Sequence, residues 1–194
     1  MKKTILTAAL LGALLSGSLY AEGNKSLPEE KSNKIARVAF ENVHAGDRLY
    51  IKDADGKTLY SEKIKSDGTY SKRFDLSAFP EDQYRFEVDK KGGTTLLPFE
   101  VEGENVELKN DLRHDIAKPT LVTHKDQVIL TRASEGTQNM KIDIYHKGRN
   151  VYTEEVSKTG GLARQYDFST SVMGEYLFKI TYDDRIFTKY VDIR

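Results

Sequence analysis

The chain has 194 residues, carries 30 basic and 30 acidic side chains for a formal net charge of zero, and contains no cysteine. The balanced charge leaves no basic surplus of the kind that nucleic-acid binding requires, so a nucleic-acid partner is not expected. Without cysteine there can be no disulfide, no thiolate chemistry and no lipid anchor on a cysteine.

The N-terminal residues have the features of a secretory signal peptide. Two lysines near the start precede an apolar run from Ile5 to Leu15, and small residues follow it. The run is shorter than the roughly 20 apolar residues that a bilayer core requires, so no membrane span is expected after cleavage. Cleavage after Ala21 is predicted, with Ser18 as the alternative. The sequence therefore predicts a signal peptide over residues 1–21 and an exported protein that is periplasmic, on the cell surface or secreted.

Residues 22–34 read EGNKSLPEEKSNK and show no apolar period. Their charges are nearly balanced and their composition is polar, which is typical of segments that do not pack into a core. The segment is interpreted as a flexible spacer.

The rest of the chain is a tandem duplication. A shift of 92 residues aligns the chain with itself without a gap, and eight identities fall among the 33 positions from 56 to 88. Unrelated sequences would give roughly two. The identical pairs are Gly56/Gly148, Tyr60/Tyr152, Glu62/Glu154, Gly68/Gly160, Asp75/Asp167, Ser77/Ser169, Tyr84/Tyr176 and Phe86/Phe178. The sequence predicts two repeats, at 35–103 and 119–194, joined by a linker at 104–118.

Each repeat has the alternation of β-strands. Tyr84, Phe86 and Val88 alternate with polar residues, which places one set in a core and the other outward. Predicted strands lie at 35–41, 48–53, 58–65, 70–76, 83–89 and 94–101, and at 119–124, 127–132, 139–145, 150–156, 163–168, 175–182 and 186–193. At most a short helical turn is expected near 111–117. The predicted fold is all-β, with two tandem antiparallel immunoglobulin-like β-sandwiches after a signal peptide.

The repeated Asp75-Leu76-Ser77 and Asp167-Phe168-Ser169 are the first candidates for chemistry, as a nucleophile beside a carboxylate. A serine nucleophile needs a base within hydrogen-bond distance and an oxyanion hole, and no histidine is placed consistently relative to these serines. The preferred interpretation is that Asp and Ser end a strand by bonding backbone groups of a turn. No catalytic residue is predicted, and the protein is not expected to be an enzyme.

Metal and cofactor sites are not predicted either. The segment Asp53-Ala54-Asp55-Gly56 resembles the start of a calcium loop, but Lys57 and Leu59 stand where further oxygen ligands are needed, so a hairpin turn is preferred. The histidines do not have metal-ligand spacing and are not shared by the repeats. They are His44, His114, His124 and His146.

Tyrosines and divergent loops are the remaining candidates for binding. The repeated pairs Tyr60/Tyr152 and Tyr84/Tyr176 are interpreted as core residues rather than as ligand-stacking aromatics. Where the repeats differ, a binding surface is more plausible because loops and edges carry function. Those positions are Tyr70, Phe79 and Pro80 against Leu162, Ser171 and Val172, and Lys90–Gly93 against Tyr182–Arg185.

The second repeat resembles the C-terminal β-sandwich sorting domains of secreted proteins from Bacteroidetes-type bacteria. The resemblance lies in IDIYHKGRNVYTEEV, YDFS and GEYLFKITYDDRIFTKYVDIR, and the matching positions are Gly148, Asp167, Ser169, Gly174, Tyr176 and Lys189. In the first repeat Asp82 stands where Gly174 does, which departs from the pattern. Both repeats are also similar to short exported immunoglobulin-like domains of unknown function. The resemblance implies a fold and an export route.

Two functions follow as hypotheses. The first is a non-catalytic exported or envelope-associated module that binds a protein or a glycan. The alternative is that the second repeat is a secretion sorting domain and the first repeat is its cargo.

Overall fold

A computed structural model describes residues 34–133 and 137–194, without the side chains of residues 137, 138 and 158. The predicted signal peptide and the spacer up to residue 33 lie outside the described residues. The strands are β1 (Ile35–Val43), β2 (Arg48–Asp53), β3 (Thr58–Lys63), β4 (Gly68–Asp75), β5 (Asp82–Asp89), β6 (Gly93–Glu102), β7 (Asn105–Leu108), β8 (His114–Ala117), β9 (Thr120–His124), β10 (Gln127–Arg132), β11 (Thr137–His146), β12 (Arg149–Thr159), β13 (Leu162–Asp167), β14 (Gly174–Tyr182) and β15 (Arg185–Ile193). A short 3-10 helix (Asn110–Leu112) precedes β8.

Each repeat forms two antiparallel sheets. In the first sandwich β1 pairs with β4, and the second sheet has the order β3-β2-β5-β6, with β7 and β8 both pairing with the outer edge of β6. In the second sandwich the sheets are β13-β10-β9 and β12-β11-β14-β15. The all-β prediction is confirmed. Among the described residues, no helix has the length and apolar character needed to cross a membrane.

Equivalent residues of the two repeats are paired in the same way in the two sandwiches. Val38 lies opposite Lys72 in the first sandwich, and Leu130 lies opposite Arg164 in the second; both residues of the second pair come 92 positions after their equivalents in the first. The strands β2 and β11 are related by 93 residues instead of 92, because Leu49 faces Val88 in the first sandwich whereas Ile142 faces Ile180 in the second. The extra residue in β11 is compensated by a turn before Gly148 that is one residue shorter than the turn before Gly56.

Each sandwich buries its own core. The predicted alternation is confirmed in β5, where Tyr84, Phe86 and Val88 are buried, and in β14, where the equivalent positions are also buried. The first core consists mainly of Val38, Phe40, Leu49, Ile51, Phe74, Leu76, Phe86, Val88, Leu97 and Phe99. The second consists mainly of Val128, Leu130, Ile142, Ile144, Phe168, Phe178, Ile180, Val191 and Ile193.

A tyrosine near the start of β5, and another near the start of β14, bonds back to the chain that precedes the strand. The Tyr84 hydroxyl donates to the Pro80 carbonyl at 2.9 Å, and the Tyr176 hydroxyl donates to the Val172 carbonyl at 2.7 Å. A buried tyrosine with this bond at the entry to that strand is the tyrosine corner of immunoglobulin-type sandwiches. The paired sheets and this corner together make the two modules immunoglobulin-like, as predicted.

The two corner bonds allow a matched test. Tyr84→Phe and Tyr176→Phe should each lower the free energy of unfolding by about 1 kcal/mol, because each removes a partly buried hydrogen bond of the tyrosine hydroxyl. Urea denaturation measures the loss, and Tyr190→Phe, whose hydroxyl is exposed, should change it by less than about 0.5 kcal/mol. Equal values for all three variants would contradict a stabilising role of the corner.

The repeated glutamate between Tyr60 and Gly68 joins the two sheets of each sandwich. Glu62 in β3 forms an ion pair with Lys72 in β4, and Glu154 pairs with Arg164 in β13, at 2.8 Å between Oε1 and Nε. Neither strand pairs with the other through its backbone. The ion pair therefore bridges the sheets where the sandwich is open, which explains why the glutamate recurs.

The segment 104–118, interpreted from the sequence as a linker, forms regular structure instead. It contributes β7, the 3-10 helix and β8, and the short helical turn expected near 111–117 is confined to residues 110–112. Ile116 in β8 and Leu96 in β6 belong to the hydrophobic core of the second sandwich. The Tyr182 hydroxyl of that sandwich also donates to the Ala117 carbonyl. The segment therefore ties the two modules together.

Candidate functional site

The β14–β15 hairpin is the starting point of the candidate site. Its turn consists of Asp183 and Asp184, whose φ angles of 48° and 53° are those of a two-residue type I′ turn, and Tyr182 pairs with Arg185 across it. In such a hairpin the residues next to the turn exchange both backbone hydrogen bonds. Alternate residues of β15, beginning with Ile186, therefore direct their N–H and C=O groups away from β14.

The outer edge of β15 carries no partner strand among residues 34–133 and 137–194. The equivalent strand of the first repeat, β6, is covered along the same edge by β8 at Gly93–Leu96 and by β7 at Phe99–Glu102. An uncovered edge presents a row of backbone donors and acceptors to which another strand can pair. The duplication thus leaves open in the second module an edge that the first module closes.

The side chains on the solvent face of β15 are unusually apolar. Ile186 is 61% exposed and Tyr190 is 66% exposed, with Thr188 between them on the same face. Tyr190 lies opposite Leu177 in β14, which in turn lies opposite Tyr145 in β11. An apolar row therefore crosses the outer face of the sheet and ends at its open edge.

In the first module the equivalent face is charged, and the second module contacts it at Leu96 and Glu87. Lys52, Arg85 and Pro98 stand where Tyr145, Leu177 and Tyr190 stand in the second. The replacement of two charged residues by a tyrosine and a leucine makes this face more apolar in the second module than in the first. Exposed apolar side chains that cluster on one surface mark an interaction site more often than scattered ones do.

The equivalent face of the first module contains an ion cluster that includes Arg185 of the second module. The Glu87 side chain is 2% exposed and accepts bonds from Lys52 at 2.8 Å, Arg85 at 2.7 Å and Arg185 at 2.9 Å. Burial alone raises the pKa of Glu87, but the hydrogen bonds of Arg85 and Lys52 and the charge of Arg185 outweigh it, so its pKa is lowered. Glu87 is thus a charged carboxylate that links the modules.

A cleft of about 780 Å³ lies beside this cluster, between the β2–β3 turn, β8 and the β14–β15 turn. Its walls carry the three cations of the cluster together with carboxylates from Asp55, Asp115, Asp183 and Asp184. Both charges are present on the walls, so the cleft does not select a ligand of one charge. Within the described part of the chain, no three histidine, aspartate or glutamate side chains are arranged to hold a metal ion.

The Asp-x-Ser segments form turns, as interpreted from the sequence. The backbone N–H of Ser77 donates to Asp75 Oδ1 at 3.0 Å, and that of Ser169 donates to Asp167 Oδ1 at 2.8 Å. The hydroxyl and the backbone N–H of Ser77 hold the pKa of Asp75 below its usual value, and the backbone N–H and the hydroxyl of Ser169 do the same for Asp167. Each carboxylate is therefore engaged by its own turn at the end of β4 or β13.

The segment Asp53–Gly56 is a hairpin turn, as preferred over a calcium loop. Gly56 donates to the Asp53 carbonyl at 3.0 Å and has a φ of 83°, while Asp53 Oδ1 accepts the backbone N–H of Lys57 at 2.8 Å. The carboxylate of Asp53 thus stabilises the turn.

The tyrosine interpretation is correct for three of the four repeated residues. Tyr84 and Tyr176 are buried, and Tyr60 is half-buried against Phe74. For Tyr152 it is wrong, because its side chain is 47% exposed. The ring lies near Tyr166 at the rim of the sandwich, where the edge strand β12 leaves it open to solvent.

The divergent loops do not form one surface. The Tyr182–Arg185 turn faces the first module through Arg185 and Tyr182, while Val172 is exposed before β14. The site residues that the sequence analysis missed are Ile186 and Tyr190. Their signal was present, because apolar residues occupy both faces of the last strand, with Phe187 and Val191 on the inner one.

Comparisons with known proteins give limited likenesses. No family model matches the chain, and no curated protein matches it. The solved structures to which the chain is similar include the BSP domain of a biofilm associated protein, at 14% identity and a TM-score of 0.30 over 84% of this chain, and the human OSCAR ligand-binding domain, at 11% identity and a TM-score of 0.25 over 82%. The chain spans 28% of the first and 89% of the second. With TM-scores this low, neither carries an argument about function.

Proposed function

We propose that this chain is an exported, non-catalytic β-sandwich protein that binds another protein at the open edge of β15. The observation that carries the proposal is the contrast between the repeats, since β6 is covered along the edge that β15 leaves free. Export is supported by the apolar run from Ile5 to Leu15. The absence of catalysis is supported by the turn and ion-pair roles that the carboxylates of Asp75 and Glu87 already have.

Strand addition explains how such an edge would bind. The backbone of an extended segment pairs with the outward N–H and C=O groups of β15, and side chains on alternate positions then determine which segment fits. Ile186 and Tyr190 supply the apolar contacts on the outer face, where cross-strand pairs of aromatic and β-branched residues stabilise a sheet. A polypeptide is favoured over a glycan because an extended backbone repeats its N–H and C=O groups at the same spacing as the edge of β15.

A photo-crosslinking residue placed at position 190 tests this proposal in the exporting host. The full chain carrying benzoylphenylalanine in place of Tyr190 should form a discrete polypeptide adduct, identified by mass spectrometry. The control replaces Thr131, which is exposed on β10, a strand paired on both of its edges, and should form none. Absence of an adduct at position 190, equal adducts at both positions, or an adduct that contains glycan alone would overturn the proposal.

The alternative function is that the second module directs secretion as a sorting domain. It is supported by the resemblance at Gly174, Tyr176 and Lys189. Deleting residues 119–194 would not test it cleanly, because Leu96 and Ile116 would lose the core in which they are buried.

An exposed point variant gives the cleaner test of sorting. Lys189→Glu should leave the fold intact, and a sorting role predicts that the variant accumulates in the periplasm. The control is Lys65→Glu, at an exposed position in the first module. Cell fractionation that finds wild type and both variants in the same compartment would remove the sorting alternative.

A further inference from the structure

We propose that the partner at the β15 edge is a second copy of this chain, with the two β15 strands antiparallel about a two-fold axis through Thr188. This inference rests on the proposed function and names its partner. The axis places Thr188 opposite Thr188 of the second copy, and Ile186 opposite Tyr190 in both directions. The interface is therefore the same surface on both subunits, which is the requirement for a closed dimer.

The backbone of β15 suits this register. Ile186, Thr188 and Tyr190 are the residues whose N–H and C=O groups point away from β14, because Tyr182 and Arg185 form the bonded pair next to the turn. In the dimer these residues meet one another, so each opposed pair exchanges both of its backbone hydrogen bonds. The resulting sheet runs continuously from β12 of one copy to β12 of the other.

The side chains favour this register over the one whose two-fold axis passes through Lys189. Ile186 opposite Tyr190 is a pairing of a β-branched with an aromatic side chain, and two threonines face each other at the centre, both of which stabilise antiparallel sheets. A two-fold axis through Lys189 instead would place Ile186 opposite Asp192. A register shift of this kind exchanges an apolar contact for the burial of a carboxylate, which is unfavourable.

Charge limits the length of the interface. In the register centred on Thr188, Asp192 lies opposite Asp184 of the second copy. Asp192 also forms an ion pair with Arg194 of its own chain at 2.7 Å, but this pair is exposed and offsets the repulsion between the two carboxylates only in part. Like charges directly opposite each other destabilise a sheet. The pairing is therefore confined to Ile186–Tyr190, and the dimer is reversible and becomes tighter as salt screens the repulsion.

The repeat itself supplies a substitution that removes the edge without breaking the strand. Pro98 occupies in β6 the position that Tyr190 occupies in β15, and its missing N–H is on the outer edge. A proline is tolerated at such an edge position because no ladder bond inside the sheet is lost. Tyr190→Pro should thus preserve the sandwich. In the dimer it removes one backbone N–H donor and one aromatic side chain from each of the two subunits.

Sedimentation analysis of the mature chain tests the dimer. Wild type should show a concentration-dependent monomer–dimer equilibrium, and Tyr190→Pro should weaken it by roughly tenfold or more. Asp192→Asn and added salt should each strengthen it by a few fold. The control variant Val122→Ser, on the opposite sheet, should leave it unchanged, and circular dichroism should give the same spectrum for every variant.

The outcomes separate this inference from the proposed function. A wild type that stays monomeric while the residue-190 crosslink captures a different protein overturns the second copy and keeps protein binding. A monomer with no crosslinked polypeptide overturns both. A dimer that Tyr190→Pro does not weaken overturns the β15 interface.

Discussion

Replacing Glu87 with glutamine is expected to lower the free energy of unfolding of the full chain by about 2–3 kcal/mol. The carboxylate is almost fully buried and neutralises Lys52, Arg85 and Arg185, so the variant leaves three cations close together without their counter-charge. Breaking a fully buried ion pair costs about 3–5 kcal/mol. The loss here is smaller because the three cations remain 21–28% exposed to water.

The effect should depend on pH in a defined direction. The pKa of Glu87 in the folded protein is lowered from its ordinary value of 4.5. A carboxyl group of this kind stabilises the fold above its unfolded pKa, and the contribution is lost as the pH falls through the lower, folded value. The difference between wild type and Glu87→Gln should therefore be constant from neutral pH to about pH 5 and should shrink below that.

Denaturant unfolding at several pH values measures this difference. Glu107→Gln is the matched control, because Glu107 forms an ion pair with Lys109 at 2.6 Å but is 70% exposed. It should change the free energy of unfolding by less than about 0.5 kcal/mol at every pH. A Glu87→Gln loss no larger than that of the control, or one that grows toward acid pH, would contradict the role of Glu87 at the junction.

The strands and turns could be predicted because their determinants are local. The alternation of Tyr84, Phe86 and Val88 and the glycine at position 56 depend on residues within one hairpin, and the structure places them as expected. The duplication strengthened these predictions, since the same residues recur one repeat later. Local chemistry also explains the Asp-x-Ser turns.

The module junction could not be predicted because its determinants are far apart in the chain. Arg185 and Glu87 are 98 residues apart, and Glu87 has no equivalent carboxylate in the second repeat, where Lys179 stands. The candidate site at β15 is recognised by comparing the strands that pair with β15 with those that pair with β6. The sequence shows that Ile186 and Tyr190 are apolar, but only the topology shows that their edge is uncovered.

The second large effect on stability is expected at residues 104–118, which the sequence indicates as a linker. Ile116→Ala should lower the free energy of unfolding by about 2–4 kcal/mol, because the side chain is only 5% exposed and packs into the core of the second sandwich. A passive linker would not respond in this way. The loss should appear in denaturant unfolding of the full chain.

Leu112→Ala is the control for this prediction, since Leu112 lies four residues earlier in the same segment but is 55% exposed. Its loss should be less than about 0.5 kcal/mol. The methyl resonances of Val128 and Leu130, in the core that receives Ile116, should shift in Ile116→Ala and stay in place in Leu112→Ala. Equal losses in the two variants, with no shift in the second sandwich, would mean that β8 does not contribute to that core. The expected result instead means that the stability of the second module depends on β8, which pairs with β6 of the first module. The module that contains β15 is then stabilised by the first module.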